Sequence, residues 1–473
     1  MATRTTGRAV APRQNGTLAI RGPVLTYTGD PFRHGIADTM RYESDAIIVV
    51  EDGRIARVGS ASEIGRSLPE GTPVEAYGDD SLIMAGFIDC HVHFPQMQII
   101  GAGGEQLLDW LEKYTFVAEQ RFDDPGHGRE VARFFLDQSL RNGITTSAVY
   151  CTVHTESVDA LFEEALALGL RTIGGKVLMD RNAPGNLLDT ARTGYDESEA
   201  LIERWHGHGR LLYAVTPRFA VTSSPAQLEA AGALKAKHPD CFVQSHVAEN
   251  RREVEWIREL YPERKHYLDV YDHYGLLGER AIYGHGIWLS EGELRRCHET
   301  GTAIAHCPTS NFFLGSGSLD LRNALARDRP LRVGLATDLG AGTSFSMLQT
   351  MNEAYKTAQL HGYTLRAAHA FYLATRGTAH ALYLDDTIGS VAPGIEADLV
   401  VLDLKSTPLI EYRMRHAADL EEALSVQMTL GDDRAVRATY AGGRRVYARD
   451  GVGAAARRRR STGAAEVRRG RRR

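Results

Sequence analysis

Cysteine is scarce: five residues in a chain of 473, odd in number and without a Cys-X-X-Cys spacing. That argues against a disulfide framework or a thiolate metal cage and fits reduced thiols in a cytoplasmic protein. Long apolar runs are missing too. No stretch reaches the roughly 18 residues that a membrane-crossing helix needs, and no apolar core follows the first basic residues, so neither secretion nor membrane insertion is expected. Acidic residues are absent from the first 29 positions, which hold several arginines. Residues 1–16 read as a frayed, disordered head rather than a transit peptide.

Acid nearly vanishes at the other end as well, where residues 457–473 carry nine arginines and one glutamate. A block of like charge repels itself and buries no core, so 451–473 are expected to be a disordered tail. Such a tail sticks to any polyanion in a salt-dependent way. Because the whole chain still has a formal net charge of −5, the remainder is acidic, which argues against a specific nucleic-acid surface on the folded body.

What is present is an ordinary globular composition in a chain too long for one compact core. Short strand-like pieces at 18–21, 46–51, 54–58 and 74–77 are separated by turns, and Asp52-Gly53 between two of them is a hairpin signal. Strand pieces and glycine turns recur at 389–404 and 436–446. Residues 17–85 and 387–450 are therefore expected to build one small composite β-sandwich from both chain ends. Over 86–386, strand-like pieces at 87–93, 144–150, 172–179, 211–217, 242–246, 281–285, 302–306 and 332–337 alternate with helical patterns such as 157–168, 226–237, 253–261 and 291–299. Eight strands interleaved with helices fit a (β/α)8 barrel of the TIM type, in the α/β class. A doubly wound open sheet also alternates, but no glycine-rich first turn supports one.

His91 and His93 stand two apart on the first of these pieces, so on an extended strand both imidazoles reach the same side and can grip one metal ion. The pair alone is a weak signal, since closed metal sites use about four donors. Further donors end other strand pieces: His246 in Ser-His-Val-Ala-Glu, His285 in Tyr-Gly-His-Gly and Asp338 in Leu-Ala-Thr-Asp-Leu-Gly. In a parallel barrel the C-terminal strand ends share one mouth, so His91, His93, His246, His285 and Asp338 are expected to form one metal site. The bland alternatives are satisfied core histidines and, for Asp338, a helix N-cap.

Six segments carry a resemblance: His-Val-His-Phe-Pro-Gln at 91–96, Leu-Asp-Trp-Leu-Glu-Lys-Tyr-Thr-Phe at 108–116, Gly-Lys-Val-Leu-Met-Asp at 175–180, Thr-Pro-Arg-Phe at 216–219, Ser-His-Val-Ala-Glu at 245–249 and His-Cys-Pro-Thr-Ser-Asn at 306–311. From about residue 17 to 447 the chain resembles the guanine deaminases, a family within the metal-dependent amidohydrolase superfamily. Pro-Gln after the histidine pair and Pro-Arg-Phe narrow the match beyond the superfamily. The resemblance implies a zinc-bearing barrel with a composite β-sandwich, a homodimer, and hydrolysis of guanine to xanthine and ammonia.

Water attacks an aromatic amidine carbon poorly, and an amide anion leaves poorly, so such a site must supply hydroxide and a proton. Zinc lowers the pKa of water to near 7, which provides the nucleophile for C2. Glu249, three residues after His246, is expected to reach that water and to move protons to N3 and to the departing amine. Asp338 is expected to ligate metal and accept the water's proton, and His285, by the resemblance, to touch both metal and water. Arg218 suits the O6 of guanine, Gln96 can accept from N1–H and donate to N3, and Phe219 packs on the base or offers backbone. His246, His285 and Asp338 also border the substrate.

Relatives with two metals use a carboxylated lysine at a strand end, but Lys176 precedes Val-Leu-Met and is expected inside its strand. One zinc per subunit is therefore expected, and iron or manganese suit the same donors. Trp110, Tyr114 and Phe116 read equally as a lid and as core. Ser310 and Asn311 read as substrate contacts, and His306 as a structural neighbour of the site. One competing reading is a related aminohydrolase for another ring, such as 8-oxoguanine, a pterin or a triazine, which must explain away Gln96 and Arg218. Another is a catalytically dead scaffold, which would be expected to have lost metal donors.

Overall fold

The computed structural model describes residues 16–450. The expected tail at 451–473, and the expected head apart from Gly16, lie outside the described residues. Eight parallel strand positions run Phe87–His93, Ile144–Tyr150, Arg171–Gly175 continued by Val177–Leu178, Leu211–Pro217, Phe242–Val247, Ala281–His285, Ala303–His306 and Arg332–Leu335. They pair in chain order. Between the last and the first, Asp338 N donates to His91 O at 2.9 Å and His93 N to Leu339 O at 3.3 Å, which brings the two edges together into a barrel.

These strands are nearly continuous apolar runs because both of their faces are covered. Ile88, Ala148, Ile173, Ala214, Phe242 and Ile282 fill the interior. Helices such as Pro125–Arg141, Thr155–Leu168, Ala191–Trp205 and Pro225–Lys237 cover the outside. Their starts are written in the sequence: Ser224 accepts from Gln227 N ahead of Pro225, and Asn250 with Glu253 makes a capping box for Arg251–Leu260.

The strand expected over 172–179 is interrupted at Lys176. The Lys176 N–H donates to the Tyr213 hydroxyl at 3.2 Å instead of to a strand carbonyl, so this lysine falls between two strand pieces rather than within one.

Both chain ends meet in a second, eight-stranded sheet. Its order is Arg444–Ala448, Val436–Ala441, Leu399–Asp403, Ser81–Ala85, Leu18–Tyr27, Met40–Glu51 and Arg54–Ser60, with Val74–Ala76 also beside Leu18–Tyr27. Asp52 and Gly53 turn the hairpin at φ of 49° and 80°, the left-handed conformations of a type I′ turn. The sheet folds back on itself, for Ile55 N donates to Ile395 O at 2.8 Å and Ala397 N to Gly53 O at 2.9 Å. Ile20, Ile48 and Ile55 thereby share a core with Leu399, Val401 and Tyr440. The alternate residues Leu82, Met84, Val400 and Leu402 face the barrel core instead, as period-two alternation requires.

A buried ion network ties this sheet to the N-terminal end of the barrel. Arg171 and Arg210, at the starts of two barrel strands, reach Glu396 at 2.6 and 2.9 Å, and Arg210 also pairs with Asp398. The C-terminal strand ends remain available for chemistry. Among the described residues no helix is long and apolar enough to cross a membrane.

Candidate active site

Five donors from three barrel strands and the turn after the last strand converge at the C-terminal mouth. His93 Nε2 lies 3.2 Å from His246 Nε2, and Asp338 Oδ1 lies 3.4 Å from His91 Nε2 and 3.5 Å from His93 Nε2. His285 Nε2 is 3.8 Å from Asp338 Oδ2. The side chains of His91, His93, His285 and Asp338 are almost fully buried, and His246 is partly buried. His285 and Asp338 adopt left-handed backbone conformations, φ 71° and 47°. Such angles are uncommon for residues with a Cβ and gather at functional sites. Gly284 is glycine for lack of room, because a Cβ there would stand 2.5 Å from the His91 ring.

The donors are prepared by the groups behind them. His246 Nδ1 meets the Arg218 carbonyl at 2.6 Å, and His285 Nδ1 meets Asn311 Oδ1 at 2.8 Å. Both partners are acceptors, so Nδ1 carries the proton in each ring and Nε2 turns its lone pair toward the cluster. Burial pushes the pKa of His91, His93 and His246 down and keeps them neutral. For His285 burial is outweighed by the charges of Glu249 and Asp338, which raise it. For Asp338 burial is outweighed by His91, 3.4 Å away, and by His285 and His246, which together hold it at about 2. Asp89 accepts from Thr337 N at 3.0 Å and from the Thr337 hydroxyl, bracing the turn that presents Asp338.

Neutral imidazoles around an ionised carboxylate are the donor set of a divalent cation. Within that set His91 Nε2 and His285 Nε2 are buried yet make no hydrogen bond among the described residues. Orphaned buried nitrogens are costly unless something else occupies their lone pairs. The residues therefore fit a metal. Cys307 also brings its sulfur near His91, His285 and Asp338, a neighbour the sequence reading missed although the residue directly follows a barrel strand. Its thiol donates to Ala305 O at 3.4 Å, and burial drives its pKa well up, away from the thiolate that would ligate metal.

Glu249 stands beside the cluster, its Oε2 3.4 Å from His285 Nε2. Its backbone N–H is held by Glu253 at 2.9 Å, and Oε1 accepts from Ser316 Oγ at 3.0 Å. Burial raises its carboxyl to about 7, poised to hold or release a proton near neutrality.

A pocket opens above, lined by Gln96, Trp110, Arg218 and Phe219 together with His93, His246, Glu249, His285 and Asp338. Arg218 and Gln96 share an acceptor that the sequence reading missed, Glu119: Arg218 Nη1 donates to it at 2.7 Å and Gln96 Nε2 at 3.1 Å. One N–H of Gln96 Nε2 is thereby committed to Glu119. Trp110 is buried, donates to Ala102 O at 2.6 Å and forms cavity wall, while Phe116 is buried in the core and the half-buried Tyr114 packs against it.

The remaining candidates stand apart. Lys176 Nζ pairs with Asp189 at 2.6 Å and with Glu197 at 3.4 Å. Asn311 supports His285 rather than lining the cavity. Ser310 Oγ and both His306 ring nitrogens are buried and make no hydrogen bond among the described residues, and burial lowers His306 to about 3.

A parallel barrel whose strand ends gather four histidines and an aspartate defines a metal-dependent hydrolase site. The profile of the amidohydrolase family matches residues 82–446, and the chain belongs to that family. Among its relatives, the guanine deaminase of Escherichia coli (strain K12) is 49% identical over 415 residues, which is 88% of this chain and 94% of that protein. The solved structure of E. coli guanine deaminase superimposes with a TM-score of 0.89 at 48% identity, covering 91% of this chain and all of that one. Guanine deaminase from Bradyrhizobium japonicum gives 0.89 at 36% identity, over 92% of this chain and 100% of that one. Guanine deaminase from C. acetobutylicum, solved with guanine bound in the active site, gives 0.81 at 28% identity, over 91% and 100%.

Proposed function

We propose that the protein is a guanine deaminase that hydrolyses guanine to xanthine and ammonia. The observation that carries this reading is that one cavity places the Arg218 guanidinium and the Gln96 amide opposite a proton carrier, Glu249, and a metal donor cluster. The guanine deaminases of E. coli and C. acetobutylicum support the same substrate.

His91, His93, His246, His285 and Asp338 would hold the cation, and zinc suits a set of nitrogen and oxygen donors. When bound, such an ion lowers the pKa of water to near 7 and makes hydroxide available at neutral pH. The chain's own groups do the rest. Arg218 donates to O6 and Gln96 Oε1 accepts from N1–H, which aims C2 at the donor cluster. Asp338, strongly acidic, accepts the first proton of the attacking water. Glu249 delivers its proton to N3 as oxygen bonds to C2, and then recovers the remaining hydroxyl proton as the C2 carbonyl forms. The amine leaves as ammonia with the proton that Asp338 held. His285 Nε2, between the two carboxylates at 3.4 and 3.8 Å, holds the water in line. Trp110, Phe219 and Leu314 give the pocket apolar walls. One zinc per subunit, a homodimeric assembly and a cytoplasmic location complete the proposal on the strength of the family resemblance.

The test is ammonia release from guanine, adenine, 8-oxoguanine, a pterin and a triazine, before and after chelation and zinc return. Turnover of guanine to xanthine that is lost on chelation and restored by zinc, together with a Glu249→Gln variant that keeps metal but not activity, is the expected result. Guanine left untouched while another ring reacts would overturn the substrate and retain the site.

A further inference from the structure

Glu119 is a fully buried carboxylate beside the cavity, and no step of the proposed reaction uses it. It ends the helical turn Phe116–Glu119, directly after the π-helical turn Leu111–Thr115. Turns of that kind insert a residue and re-aim the side chains beyond them, often at functional sites. The Glu119 oxygens receive Arg218 Nη1 at 2.7 and 2.9 Å and Gln96 Nε2 at 3.1 Å. An ionised carboxylate can only accept, so the Gln96 amide is fixed with Nε2 toward Glu119 and Oε1 turned away from it. Arg218 keeps Nε and Nη2 as donors.

The two side chains thus offer the cavity a donor and an acceptor side by side. That pattern complements a lactam edge, a carbonyl next to an N–H, and opposes the edge of a 6-amino ring, where an amine stands next to a bare nitrogen. Charge points the same way. Arg218 is already neutralised by Glu119, with both side chains at 3% exposure or less, which suits an uncharged carbonyl better than a carboxylate or phosphate.

We infer that Glu119 is the positioning residue that sets ring specificity, by fixing the hydrogen-bond polarity of Arg218 and Gln96 together. The inference rests on the reading of those two side chains as the substrate contacts. In Glu119→Gln the new amide must donate as well as accept, and Gln96 answers by turning Oε1 toward it and its NH₂ toward the cavity.

The experiment compares kcat/KM for guanine and for 2,6-diaminopurine, both of which carry the amine at C2, in wild type and Glu119→Gln, with metal content and melting temperature measured alongside. Wild type favours guanine. Glu119→Gln is expected to lose about 100-fold on guanine, as a small misplacement of a bound ring does, and the preference ratio to fall at least about 10-fold, with metal per subunit unchanged. Equal losses on both rings, or an unchanged ratio, overturn the inference. Should Glu119→Gln not fold, Glu119→Asp carries the test: it keeps an acceptor for both side chains, so KM for guanine rises while the preference persists, and a collapsed preference overturns the inference. A wild-type protein inert toward both purines yet active on another ring overturns instead the reading of the site on which the inference rests.

Discussion

Gly284→Ala isolates one contact on which the donor cluster depends. The added methyl would lie 2.5 Å from His91 Cε1, 2.9 Å from Nδ1 and 3.1 Å from Nε2. Ordinary contact begins near 3.4 Å, so the ring must retreat by about 0.9 Å. It has no room to do so: His91 is 1% exposed, with the rings of Tyr150 and His246 at 4.7 Å and that of His285 at 5.4 Å. Gly284 is not among the residues with a left-handed backbone, so alanine brings no strain of its own and the effect is purely one of contact. Overpacking of this kind costs about 1–3 kcal/mol, and a displacement near 1 Å at a reacting site costs about 100-fold in rate. The expected variant folds, melts a few degrees lower, loses metal at a chelator concentration that wild type withstands, and turns guanine over about 100-fold more slowly. Metal per subunit after graded chelation, ammonia release and a thermal melt read these separately. A Gly284→Ala protein that keeps its metal as tightly as wild type and works at the wild-type rate would refute both the packing argument and the place of His91 among the donors.

Two further substitutions probe the groups behind the site. Asn311→Ala removes the acceptor of His285 Nδ1, and loss of a group that orients a ligand costs about 10- to 100-fold in metal affinity or activity; titration with a chelating indicator and the ammonia assay check it. Lys176→Met leaves Asp189 buried without its 2.6 Å partner, and breaking a buried pair costs about 3–5 kcal/mol. The melting temperature should therefore fall while metal per subunit stays at the wild-type value, whereas halved metal content would place Lys176 at a second metal.

Much of the architecture was legible because a parallel barrel hides both faces of its strands, and buried strands are written as short apolar runs. Seven of the eight pieces read from the sequence lie within two residues of the observed strand ends. The eighth broke at Lys176, where a tyrosine hydroxyl from the next strand takes the backbone N–H. No local pattern announces that, since the cause is a tertiary contact 37 residues away. The curled second sheet was legible in its strands but not in its closure, which depends on bonds such as Ile55 N to Ile395 O.

The same division runs through the site. Histidines and an aspartate at strand ends declare themselves by type and position, so the cluster could be assembled from the sequence. Direction could not be read there, because the groups that act in the site have two different ends. An imidazole can present either nitrogen, and an amide either its oxygen or its NH₂. The structure places an acceptor oxygen at the far end of each: the Arg218 carbonyl behind His246, Asn311 Oδ1 behind His285 and the Glu119 carboxylate behind Gln96. Glu119 reaches its two partners across 23 and 99 residues of chain, and it acts on the ring only through those two side chains. Changing Glu119 would leave the donor inventory intact and reverse the pattern the site offers, so ring preference and metal retention are expected to be separable by mutation there.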